Sequence, residues 1–135
     1  MPTFNDPTKD AEEARQALRG LAHATRNLED PSVVYDLLGA LSQAITSMGQ
    51  TLNQIGGFHD TLKRHDIRPV VADSSRTGYS ASYQVSWELH RAAEMTRQIA
   101  KVVDHAREIE ARIAYSRPVE QTARTTSIPG NGITL

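Results

Sequence analysis

Between Val34 and Leu62 apolar residues recur in alternating steps of four and three: Val34, Leu38, Leu41, Ile45, Met48, Leu52 and Ile55, then His59 and Leu62. That heptad seam, with one polar interruption, specifies a long helix laid against other helices. From Val33 to Phe58 the only ionised side chain is Asp36, so the helix reads as a central one with partners on more than one side. The seam is accordingly expected to be the buried core, with Leu41 and Ile45 at its heart. Toward Leu62, Ser47, Thr51 and Gln54 thin the flanking positions and the packing should taper.

Helix punctuation sets the remaining elements. Asp6-Pro7 and Asp30-Pro31 each place a capping side chain before a proline at the first helical position. Three helices are expected, over about residues 7–28, 31–65 and 79–115. The first carries Ala14, Leu18, Leu21 and Leu28 on one face. The third carries Val85, Leu89, Ala92, Thr96, Ile99, Val103 and Ala106. Gly39, Gly49, Gly56 and Gly57 weaken the second helix by up to about 1 kcal/mol each, and mark either close backbone approach or, at Gly56-Gly57, a kink. Residues 65–78 read as a loop anchored by Pro69 and closed by Gly78. After Arg117-Pro118 the composition turns to Thr, Ser, Pro and Gly, which predicts a disordered tail over 118–135. The expected fold is thus all-α: an up-down-up antiparallel three-helix bundle with two long helices, forming one domain over 1–117. In it the short first helix covers the end holding Val34 and Val103.

Composition narrows the function classes. Fifteen basic and sixteen acidic residues leave a formal charge of −1, which gives no broad attraction to nucleic acid or anionic membrane. There is no cysteine, so disulfides, thiolate metal sites and thiol nucleophiles are excluded. No apolar run approaches the roughly 20 residues of a bilayer span, and the N-terminus lacks a signal-peptide pattern. A soluble cytoplasmic protein is the expectation. Catalysis finds no nucleophile elbow, phosphate-binding glycine loop or dinucleotide fingerprint, so no catalytic or cofactor-binding residue is assigned. His90 with Glu94 and His105 with Glu108 have helical spacings that ordinary surfaces produce constantly, so no metal site is assigned either.

Two groups remain as candidate contacts. Tyr79, Tyr83 and Trp87 are spaced by four at the start of the third helix. At about 100° per residue, Trp87 points about 170° from the Val85–Leu89–Ala92 seam and Tyr83 about 150°. Aromatic rings opposite a core suit a protein interface, and Tyr and Trp are enriched at interface hot spots. Lys63, Arg64, Arg68 and Arg76 surround the loop and could grip single-stranded nucleic acid beside those rings, although Asp60, Asp66 and Asp73 dilute them.

The segments Ala17–Pro31 (ALRGLAHATRNLEDP) and Tyr35–Gly39 (YDLLG) resemble the opening of small helical proteins of actinobacteria, often encoded near mobile elements. The resemblance covers roughly the first 55 residues and implies a bacterial cytoplasmic accessory protein, with no catalytic residues to carry over. The sequence therefore predicts a non-enzymatic helical interaction module forming a homodimer. The alternative is a nucleic-acid-associated accessory protein of a mobile element, and a third class is a bundle enclosing an apolar ligand.

Overall fold

The computed structural model describes residues 1–72 and 78–116. Among them the chain is helical, with no β-strand, and it divides into two compact units at Val33/Val34. The tail expected over 118–135, and Arg76 of the basic group, lie outside the described residues.

The first unit is built on helix α1, Pro7–Ala24. Asp6 caps it as its sequence demands: the carboxylate accepts from Lys9 N at 3.1 Å and Pro7 occupies the first turn, where its missing N–H costs nothing. The preceding residues fold back over that turn. Asp10 accepts hydrogen bonds from Thr3 N, Thr3 Oγ1 and Phe4 N at 2.7, 3.0 and 3.1 Å, which holds its carboxyl below the usual range and pins Phe4 at φ 64°. A single 3-10 turn, Thr25–Asn27, follows α1. No residue of α1 is buried; Leu21 is half-buried and Ala14, Leu18 and Leu28 are exposed.

The second unit is a helical hairpin. A 3-10 turn over Pro31–Val33 leads into α2, Val34–Asp60, and α3 spans Tyr79–Glu110. Cross-links run in opposite order along the two helices: Ser42 with Asp104, Asn53 with His90, Asp60 with Ser86 and His59 with Ser82. The pair is therefore antiparallel. Between them a 3-10 turn, Leu62–His65, closes on Asp66 in the left-handed conformation, where Ile67 N bonds Leu62 O at 3.1 Å. Gly78 then seats against Pro69: its N–H donates to Pro69 O at 2.8 Å, and a Cβ there would lie 2.6 Å from the Pro69 carbonyl carbon. Only glycine fits so close to another backbone.

The residues in the middle of the hairpin correct the expected core. The buried positions of α2 are Gly39, Ser42, Gly49 and Gly56, and those of α3 are Ser82, Ser86, Ala93, Thr96 and Ala100. Both rows contain a strict seven-residue step, Ser42–Gly49–Gly56 and Ser86–Ala93–Ala100. The apolar seam lies one residue before each. Leu41, Ile45 and Leu52 are half-buried, while Met48 and Ile55 are 43% and 45% exposed. The physical reason is closeness: glycine, alanine and serine let two backbones approach where Leu, Ile and Met would hold them apart. A Cβ added at Gly56 would meet the His90 ring at 2.9 Å, and one at Gly39 the Arg107 guanidinium at 2.8 Å. The helix continues unbroken through Gly56-Gly57 to Asp60, and of the two glycines it is Gly56 that marks the contact.

The two adjacent glycines make opposite predictions. Nothing lies within 4 Å of a Cβ added at Gly57. Gly57→Ala should therefore raise the thermal midpoint, gaining up to about 1 kcal/mol of helix propensity. Gly56→Ala should lose that gain against the His90 ring. Parallel melts of the two variants check this, and equal stabilisation by both would show that α2 and α3 are further apart at His90.

Candidate interaction surface

Since α2 and α3 run in opposite directions, a residue one place before the contact row turns about 100° toward the same side of the hairpin on each helix. Leu41, Met48 and Ile55 precede Ser42, Gly49 and Gly56; Val85, Ala92 and Ile99 precede Ser86, Ala93 and Ala100. These two seams consequently form one apolar face. Ile99 is 52% exposed, Val85 and Met95 are exposed beside it, and Leu38, Ile45, Leu89 and Val103 sit half-buried in the groove between the helices. The only buried hydrophobic residues described are Leu62, Ala93 and Ala100.

The opposite face is polar. A cleft of about 340 Å³ opens there, lined by Thr46, Gly49, Gln50, Asn53, Gln54, Ala93 and Arg97. Its amides and guanidinium differ from the enclosed apolar cavity that a lipophilic ligand needs. Tyr83 and Trp87 also stand on this side, 73% and 62% exposed, with the Arg91 guanidinium 5.5 Å from the Trp87 ring. Tyr79 is half-buried and carries Lys63 Nζ over its ring at 4.8 Å. Lys63, Arg64 and Arg68 are exposed around the 62–68 turn, so part of the basic group and the first aromatic of the row do meet.

A polar seam locks the hairpin near this loop. Ser86 Oγ donates to Asp60 Oδ1 at 2.5 Å; His90 Nε2 lies 3.2 Å from Asp60 Oδ2, and its Nδ1 lies 2.8 Å from the Asn53 amide oxygen. His59 Nδ1 pairs with Ser82 Oγ at 2.9 Å. Two serine hydroxyls thus cross from α3 to α2, that of Ser86 to the Asp60 carboxylate and that of Ser82 to the His59 imidazole. Both pairs tie the two helices together. At the open end, Ser42 bonds Asp104 and Arg107 Nε donates to Tyr35 O at 3.2 Å while its guanidinium lies 4.0 Å from the Tyr35 ring. Among the described residues every buried side-chain polar atom is hydrogen-bonded, and no cluster of three metal-ligating side chains occurs.

The hydrogen bond from Ser86, then that from His90, holds the Asp60 carboxyl below its usual range. A depressed carboxyl contributes stability that is present above its unfolded pKa and lost as pH falls through the folded value. The hairpin should therefore lose stability below about pH 4. Asp60→Asn should lower the melting midpoint at neutral pH and flatten part of that acid limb. An unchanged acid limb in the variant would remove Asp60 from the lock.

Sequence reasoning missed the contact row because it weighed hydrophobicity. The available signal was small side chains at every seventh position in both helices. Among the described residues no helix is long and apolar enough to cross a membrane. No protein-family model, curated protein or solved structure matches the chain.

Proposed function

We propose that the chain is a non-enzymatic helical protein–protein interaction module that self-associates through the apolar face of its hairpin. The observation that carries this reading is the mismatch between what the hairpin buries and what it leaves open. Among the described residues two alanines and one leucine are its buried hydrophobics, while the Leu, Ile, Met and Val rows are half-buried or exposed. Contiguous apolar patches larger than a few hundred Å² are rare on soluble monomers and mark contact sites. Tyr83 and Trp87, on the polar side, then serve as anchors for a further protein contact.

Sedimentation equilibrium on the full chain tests self-association directly. The expected mass is a multiple of 14.9 kDa that falls on dilution. A single-chain mass at every concentration would overturn it. A nucleic-acid role is the second reading, supported by the exposed Lys63, Arg64 and Arg68 beside Tyr79. It predicts retention on single-stranded nucleic acid that weakens steeply with salt.

A further inference from the structure

We infer that the occupant of the apolar face is a second copy of this chain, docked with α2 of each copy against α3 of the other and the two-fold axis parallel to the helices. This rests on the reading above and adds the orientation of the two copies.

Charge is the first argument. Along α2 the face runs from Val34 to Ile55 without an ionisable side chain, and along α3 from Val85 to Val103 only Glu88 touches its outer edge. A face so nearly free of charge meets its own copy without like-charge repulsion, whereas it offers no charge pattern by which to select a foreign partner. Area is the second. Met48, Ile55, Val85, Met95 and Ile99 are each between 41% and 56% exposed and, with the half-buried groove residues, extend along both helices, as an interface burying about 800 Å² per partner requires.

Size complementarity fixes the orientation. The α2 row is uniformly large: Leu38, Leu41, Ile45, Met48, Leu52 and Ile55. The α3 row is smaller on average: Val85, Ala92, Val103 and Ala106 stand with Leu89, Met95 and Ile99. Pairing α2 with α2 would crowd one seam, and pairing α3 with α3 would leave the other underfilled. Large rows against small rows fill both. A two-fold axis parallel to the helices produces that pairing, with neighbouring helices antiparallel as in four-helix bundles. The pairs Ser42–Asp104 and Asn53–His90 place Met48 within one helical turn of Ile99 along the hairpin. Met48 of one copy then meets Ile99 of the other, and both 62–72 loops lie at the same end.

The absence of native cysteine makes the test clean. Met48→Cys and Ile99→Cys are prepared as separate full-length chains, one carrying a mass tag, then mixed and mildly oxidised. A disulfide needs Cβ atoms about 4 Å apart. The mixed sample should give a cross-linked heterodimer, while each variant alone stays largely uncross-linked. Ile55→Cys with Ala92→Cys, one heptad along the same two rows, serves as the second pair if circular dichroism shows that a first variant has lost helicity. Met48→Cys cross-linking to itself as fully as to Ile99→Cys would overturn the orientation, as would a dimeric mass without mixed cross-links. A wild-type chain that sediments as a single chain overturns the second-copy occupant and self-association together; the mass and the cross-link pattern thus separate the two failures.

Discussion

Replacing Ala93 with leucine is expected to lower the stability of the hairpin by about 3 kcal/mol, the upper end of the usual cost of overpacking. Ala93 is 3% exposed and its carbonyl oxygen lies 3.5 Å from where a Cβ at Gly49 would stand. A leucine there must either wedge α2 and α3 apart or turn its isobutyl group into the polar cleft that Ala93 lines, among Thr46, Asn53 and Arg97. The first strains the cross-helix bonds of Ser42, Asn53, Asp60 and His59, and the second sets an apolar group against amides and a guanidinium. Domains of this size have only about 5–15 kcal/mol in total, so the loss should appear as a large drop in the thermal midpoint followed by circular dichroism. Leu41→Ala offers the contrast. A fully buried seam leucine would cost about 2–5 kcal/mol. Leu41 is half-buried, so its cost within a single chain should fall below that range and grow as the chain associates. A melt insensitive to Ala93→Leu would mean that the small-residue row is not the contact.

Particular residues show what could be read from the chain and what could not. Asp6-Pro7 gave the start of α1, and Gly78 the start of α3, because caps and glycines act locally. Asp30-Pro31 gave a start that is a 3-10 turn before α2 proper. The outward direction of Tyr83 and Trp87 was also legible, as helical phase depends only on residue spacing. The core was displaced by one position. A heptad of leucines and a heptad of small residues one place earlier or later have the same period, and hydrophobicity states which residues gain by burial, not which neighbour buries them. Met48 and Gly49 illustrate this: the methionine carries the seam, while the glycine carries the intrachain contact. The Asp60–His90–Asn53 lock was invisible for another reason. Its members are 30 and 37 residues apart, and no local pattern links them.

Charging the apolar face should separate the copies while leaving each hairpin intact. Met48→Glu combined with Ile99→Glu places two carboxylates within one helical turn of each other on a face that is about half exposed at both sites in the single chain, so water can solvate them there. In the associated form four carboxylates would be buried together, and burying unpaired charge costs several kcal/mol per ion. A loss of about 3 kcal/mol already weakens association by more than a hundredfold. The double variant is therefore expected to sediment at 14.9 kDa with helicity retained. Gln50→Glu, in the lining of the polar cleft, adds charge on the opposite side and should leave the mass of the wild type. Tyr83→Ala with Trp87→Ala separates the two surfaces: loss of association only in that variant would move the self-contact to the aromatic side. If the charged double variant keeps the wild-type mass, the open seam is not where copies meet, since no packed interface tolerates four carboxylates at its centre without partners.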